Sequence, residues 1–547
     1  MASLQPLVGN LGVRRAAHLL RRAAFGGSRA EIDAFANMSV SQAVTALLDF
    51  PGIPAPPQDP GSGQSFNSNG SITVFEPEIV SWWIYHAVNP NVAPTAFHKL
   101  VFFMHTCVTV SWEVVREPTW WWYHKNWMMT FADKSYRELM QKMSVDMAMG
   151  RFLNLDTSTK NAPNENYARE LLELFTVGKG PQIGPSNYTN YTEDDIRTIA
   201  KVFTGFNTNW WYDNSSYWDS DYGHPVLVAD PSEHDISDKT LSAAFNNATI
   251  SGRSSRSGMF DEVNELIDVI FAQEATSEFL VRKLYRYYVH YQITPEIEQD
   301  IIQPLAQTFR NSDFHWEPVL TQLLNSRHFY DADDATPDDD VIGGLIKTPF
   351  ELWAQNMRYF GSYIPNLDND RSGIQSWIYG YQWKLQELGM YVWAPPSVAG
   401  YEPMYQEPDF NRYWINSTTL PRRYNEMTRV MAGGGMPDYG RFDAMSFVAN
   451  NISDYNGNDP LGNPGPHEGP RIASHLVSTI TEYLFPVPLT AERNNYFLND
   501  LLLDSLSEIN WMFEWDNYRS TGDDSAVRPQ IENLISGILQ SPEFQLS

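Results

Sequence analysis

Apolar residues in this chain recur at i, i+3, i+4 and i+7, and almost nowhere do they alternate. In Ala168, Leu171, Leu172 and Phe175 that spacing predicts a helix with one buried stripe. It returns in Ala16, Leu19, Leu20 and Ala23, in Val263, Leu266, Ile267 and Ile270, and again in Leu280, Leu284 and Tyr287. Helices are expected over 13–49, 74–150, 261–330, 349–360 and 471–544. Stretches rich in Gly, Pro, Asn, Asp or aromatic residues separate them, near 51–73, 178–258, 331–341, 391–420 and 433–470. Strand signals are weak throughout. The expected class is mainly all-α. The chain reads as one large multi-helix body with irregular insertions, a single domain over 1–547. By length alone, 547 residues would suggest about two to four domains, but no clean linker divides them.

Composition narrows the classes of function. Aromatic residues make up 14 % of the chain, with 18 Trp, 28 Tyr and 29 Phe. That supplies a sizeable core, excludes wholesale disorder and leaves rings over for exposed platforms. A formal net charge of −28 repels phosphate backbones and anionic lipid, which argues against nucleic acid as a main partner. It favours cations, neutral ligands such as glycans, or basic partners. Cys107 is the only cysteine, so no intramolecular disulfide can form. No apolar run approaches the ~18 residues of a membrane span. The start, Met1-Ala2-Ser3-Leu4-Gln5-Pro6, has no basic segment leading into an apolar one. The expected location is the cytoplasm, or outside it after removal of a signal.

The densest block of potential chemistry is Asn161 to Thr176. Pro163 is expected in a first helical turn, where its missing N–H costs nothing. Opposite the apolar stripe, Glu165, Arg169 and Glu173 stand four apart, with Asn166 and Glu170 beside them. Carboxylates, an amide and a guanidinium on one arc make either a metal or acid/base site or a salt-bridged surface, each i, i+4 pair there contributing ~0.2–0.5 kcal/mol.

Other candidates are more dispersed. His98 and His105 lie two turns apart on one helix face, and His234-Asp235 sits in an irregular polar stretch where loops often carry function. The aspartate clusters Asp219-Ser220-Asp221 and Asp368-Asn369-Asp370 read as solvated turns. So does Asp454 to Asp459, which begins like a calcium loop but has Asp459 where glycine is needed. Aromatic groups at Trp120-Trp121-Trp122-Tyr123 with Trp127, at Trp210-Trp211-Tyr212, and from Trp393 through Tyr401 to Trp414 could stack on sugars. Four consecutive aromatics cannot share one helix face, so part of the first group is expected at solvent or a subunit contact. The chain has no His-Glu-x-x-His, Gly-x-Ser-x-Gly, Gly-x-x-x-x-Gly-Lys or Gly-x-Gly-x-x-Gly, which removes several large enzyme classes.

Several segments together resemble a bacterial family known as a domain of unknown function, DUF1800. They are Ala17-His18-Leu19-Leu20-Arg21-Arg22-Ala23-Ala24-Phe25-Gly26, Phe103-Met104-His105, Ala162 to Thr176, His234-Asp235, Arg282-Lys283-Leu284-Tyr285, Lys347-Thr348-Pro349-Phe350-Glu351, Trp393 to Gly400 and Trp414-Ile415-Asn416-Ser417. The resemblance implies no agreed activity. It does imply frequent export, and genes that neighbour a second, sulfatase-like uncharacterised family whose protein is a candidate partner. Two positions depart from the family's habit: His105-Thr106-Cys107 stands for His-x-His, and Gly400-Tyr401 for Gly-Trp. Positions i and i+2 of a helix point about 200° apart, so His105 and Cys107 could not both face one ion on regular backbone.

The expected function is a metal-assisted or carboxylate-based hydrolase or lyase acting on a glycan or similar polymer. Glu165, Glu170, Arg169, Asn164 and Asn166 would form its catalytic group. His105, His234 and Asp235 would hold a divalent metal of open identity, and Trp393, Tyr401 and Trp414 would bind substrate. The alternative is a non-catalytic binding or scaffold protein in a surface-polymer or secretion-associated complex, with the acidic block as a structural network.

Overall fold

The structure, a computed structural model, describes residues 2–57, 76–89, 92–185, 187–208, 218–219, 223–333, 340–361, 371–431 and 442–547. Trp210, Trp211, Tyr212, Ser220, Asp221 and the Asp368-Asn369-Asp370 cluster lie outside the described residues. The architecture is mainly α-helical. The named strands among the described residues are short antiparallel pairs: Gln182–Gly184 with Asn187–Tyr188, Phe206–Asn207 with Val228–Ala229, Trp218–Asp219 with His224–Pro225, and Lys239–Thr240 with Thr249–Ile250. All fall in the stretch whose sequence carries no clear period.

Local chemistry sets many helix starts. Ser28 with Glu31, Ser39 with Gln42, Thr192 with Asp195 and Thr348 with Glu351 form reciprocal capping boxes. Pro349 occupies the first turn of Pro349–Tyr359, where a missing N–H is harmless. Pro163 does not play that part. The helix Glu165–Glu170 starts after Asn164, whose side chain accepts from the Asn166 amide, so the proline precedes the cap. The stripe Ala168, Leu171, Leu172 and Phe175 is fully buried. From Leu171 the helix widens into the π-helix Leu171–Phe175, a change of winding that apolar spacing does not reveal.

The helix Pro118–Thr130 runs through the middle of the core, packed against Phe97–Cys107, Tyr136–Met143 and Met147–Phe152. Trp120, Trp121, Trp122 and Tyr123 are all buried. This corrects the expectation that part of the group meets solvent: a helix surrounded by other helices has no outer face. Distant parts of the chain are joined near the C-terminus. The Gly343 and Lys347 amides donate to the carbonyls of Ser547 and Gln545, and Arg423 donates to both Gln545 and the Lys347 carbonyl. One apolar cluster includes residues from Ala2 to Phe544. Among the described residues, no helix is long and apolar enough to cross a membrane.

Candidate functional site

The acidic arc is tied up in ion pairs at the surface. Arg169 donates two parallel hydrogen bonds to Glu193, at 2.7 and 3.0 Å, and lies 3.5 Å from Glu165. Glu165 is 41 % exposed and also faces Arg197 at 3.8 Å. Glu173 pairs with Lys179 and accepts from the Tyr191 hydroxyl. Asn164 caps the helix and donates to the Asn154 carbonyl, while Asn166 reaches the Leu153 carbonyl at 3.4 Å. Glu170 differs from its neighbours. Partial burial, with Glu173 alongside, raises its carboxyl above the ordinary value despite Arg169 and Lys179.

The expected imidazole and carboxylate ligands have separate surroundings. His105 is fully buried, with its ring centroid 4.5 Å from that of Trp393 and both ring nitrogens unpartnered. Burial, then Lys125 and His124, hold it well below its ordinary value, so it is neutral. Cys107, two residues on, has Lys283, Thr106 and Tyr136 as its electrostatic neighbours, and burial pushes its thiol up to about 11. The two side chains on either side of Thr106 thus look into different environments, as regular helical backbone requires. His98 is buried beside Trp83 and His86. His234 sits between the Thr204 carbonyl at 2.8 Å and Glu262 at 3.1 Å, and Glu262 also receives Lys239 at 2.6 Å. Asp235 folds back on its own loop, accepting from the Ser237 amide and hydroxyl. Among the described residues, no three His, Cys, Asp or Glu side chains form a group that could hold a metal ion.

Of the three expected substrate-binding aromatics, Trp393 and Tyr401 are core residues. Trp393 packs against Trp83 and Phe102, and the Tyr401 hydroxyl donates to the Tyr391 carbonyl. Trp414 lines a cavity of about 60 Å³. This cavity gathers segments far apart in sequence: Phe103 and Thr106 from Phe97–Cys107, Lys283, Arg286 and Tyr287 from Glu274–Tyr288, Thr348 and Glu351 at the start of Pro349–Tyr359, and Ala399 to Trp414. Tyr405, 36 % exposed, is the lining residue that reaches furthest towards solvent.

Lys283, Arg286 and Tyr287 are spaced i, i+3, i+4 and therefore share one helix face. Arg286 has no hydrogen-bonded or ion-paired partner among the described residues. Its guanidinium carbon lies 4.5 Å from the Phe410 ring centroid and its Nε is buried without an acceptor. Burial lowers its pKa, offset in part by Glu407. Asn411 is 92 % buried, and neither its Oδ1 nor its Nδ2 has a partner. Such groups cost roughly 1–3 kcal/mol each when left unsatisfied, a cost sites bear when a ligand completes them. Lys283 donates to the Leu174 carbonyl at 2.7 Å, a group in the π-helix that ends the acidic block. Burial lowers its ammonium. Glu351 is already occupied, with one oxygen on Lys99 and the other accepting the Thr348 amide. The uncommitted charge in the cavity is positive.

One strained residue lines the cavity: Phe410 holds a φ of 40°, in the left-handed region that bulky residues avoid. The spacing of Lys283, Arg286 and Tyr287 was visible in the sequence. Asn411 and Phe410 carried no signal, because only tertiary packing sets them opposite that face.

No curated protein and no solved structure matches the chain. Against family models, residues 18–546 match the protein family of unknown function DUF1800, and the chain belongs to that family.

Proposed function

We propose that the protein binds the charged end of an acidic glycan, or a similar ring-shaped anion, in the cavity between Arg286 and Asn411, and acts on it there. The observation that carries this reading is the pairing of an uncommitted guanidinium with a buried, unpartnered amide, ringed by Tyr287, Tyr291, Phe410 and Trp414. A guanidinium and an amide suit a carboxylate or sulfate, and aromatic faces suit the sugar ring behind it. A cavity needs about 10–15 Å³ for each water it holds, so 60 Å³ seats a charged group and part of its ring rather than a length of polymer. The net charge of −28 likewise favours a chain end or short oligomer over a long polyanion. At physiological salt the repulsion is screened beyond about 8 Å, while contacts inside the cavity are not. We also take the chain to work as one helical domain, supported by its continuous core.

The test is calorimetric titration of the full chain with galacturonate and with uncharged galactose. Galacturonate binding that weakens about 10- to 100-fold in Arg286→Met, the worth of one charge-assisted contact, supports the reading. Equal affinity for both sugars overturns it.

A second reading keeps acid/base chemistry on the arc, with Glu170 as the acid, Glu165 its partner, Arg169, Asn164 and Asn166 in support, and His105, His234 and Asp235 as ligands or proton carriers. Its support is the raised carboxyl of Glu170 beside Glu173, since acid and base must differ in protonation. Glu170→Gln with unchanged melting temperature and lost activity would favour it, as would a stoichiometric metal in elemental analysis.

A further inference from the structure

We propose that the cavity is a β-elimination site for uronic-acid residues, with Lys283 as the base that takes the proton next to the carboxylate and Tyr287 as the acid on the leaving oxygen. The proposal rests on the reading of the cavity as a seat for an acidic sugar and adds the reaction.

The chemistry needs three things in one place. The first is a seat that neutralises the carboxylate, since a carboxylate left charged holds the adjacent C–H proton tightly. Arg286, without another partner, and Asn411, with both polar atoms free, supply it. The second is a base. Lys283 shares the helix face of Arg286 one turn away and lines the same cavity. A neutral amine can donate one hydrogen to the Leu174 carbonyl at 2.7 Å and still present its lone pair. Burial moves Lys283 towards that neutral form, which is how lysines become general bases. The third is an acid. Tyr287 stands four residues after Lys283 and lines the same cavity. Its hydroxyl donates to the Lys99 carbonyl at 3.5 Å, a contact long enough to exchange for a leaving oxygen. Burial raises it well above its ordinary value, so it keeps its proton until an alkoxide develops beside it.

The step balances without a co-reactant. The Lys283 lone pair takes the proton from the carbon bearing the carboxylate, and the released C–H pair becomes a C=C bond to the neighbouring carbon. The C–O bond on that neighbour breaks, and its oxygen leaves with the Tyr287 proton. Lys283 then returns a proton to Tyr287 directly or through water. The products are an unsaturated uronate and a free hydroxyl end.

The test incubates the full chain with short oligogalacturonates and oligoglucuronates, following the ultraviolet absorbance of the conjugated carboxylate while calorimetry follows binding. Lys283→Arg keeps a donor for the Leu174 carbonyl but carries a guanidinium that stays protonated and has no lone pair to accept the substrate proton. It is expected to bind within about threefold of wild type and to lose ~100-fold or more of the absorbance rate. Lys283→Met is the second variant, with its thermal midpoint measured alongside. Binding by the wild type without a new chromophore overturns the elimination and leaves the anion-seat reading standing. Absorbance that survives in Lys283→Arg overturns Lys283 as the base. Failure of any uronate to bind overturns the reading beneath both.

Discussion

Acid should unfold this protein through its buried imidazoles. His18 and His105 are fully buried, and His98 and His290 nearly so. At each the first cause is burial, which disfavours the cation; nearby cations add to it, Arg22 and Arg21 at His18, Lys125 and His124 at His105. His98 is lowered to about 3 and His290 to about 4. In the unfolded chain each returns to the ordinary value of 6.5. The sign follows from linkage: a base depressed in the fold is neutral there and takes a proton only on unfolding. Its stability contribution is therefore full above the unfolded value and drains as pH falls below it. Between about pH 7 and about pH 5, each such imidazole loses ~2 kcal/mol, and four lose ~8 kcal/mol. That is comparable with the whole ~5–15 kcal/mol of a typical domain. The assay is urea unfolding across this range for wild type and His105→Leu. Both His105 nitrogens lack a partner, so leucine forfeits no hydrogen bond and should leave stability near neutral pH equal or higher. Its pH dependence should be shallower by ~2 kcal/mol over the same interval. Identical pH dependence in the two proteins would refute the reasoning.

Three other outcomes are expected. Glu351→Gln keeps a capping acceptor for the Thr348 amide but strands Lys99, 1 % exposed, and should cost ~3 kcal/mol; the double variant with Lys99→Met should recover most of it, and strictly additive losses in denaturation would count against the pairing. Burial works to raise the Glu351 carboxyl, yet Lys99, the Thr348 amide and Arg22 pull it below its ordinary value, so this contribution is present at neutral pH and is lost as pH falls through the folded value. Arg169→Ala, at a side chain 35 % exposed, should cost under ~1 kcal/mol and leave uronate affinity at the cavity unchanged; a melting shift worth more than ~2 kcal/mol would show the arc to be structurally essential. Gly178→Ala places a Cβ 2.5 Å from the Phe279 ring at a φ of +68°, so a loss of ~2 kcal/mol or more is expected in thermal unfolding, and a neutral substitution would show that the loop relaxes freely.

Local rules were readable along the chain because they act over three or four residues. The i, i+3, i+4 spacing marked Ala168, Leu171, Leu172 and Phe175 as buried, since period is a property of one segment. The same short range explains why Pro163 was placed in a first turn that begins two residues later, at Glu165, and the silence about the π-helix at Leu171. Trp120 to Tyr123 misled for a different reason. Face counting assumes an outer face, and whether a helix has one depends on how many others surround it.

The candidate site lay beyond that range. Glu165, Arg169 and Glu173 crowd together in sequence, and crowding on an exposed helix produces ion pairs, each side chain finding its nearest opposite charge. Lys283 and Arg286 look no different in sequence from any surface cations. Composition and periodicity determined that this chain would be a helical protein with a large aromatic core. Only tertiary packing decided which charges would be left without partners, because a group is uncommitted by virtue of everything else that folds around it. Asn411, 125 residues beyond Arg286 in the chain, acquires its significance from the loop that carries it across to face that helix.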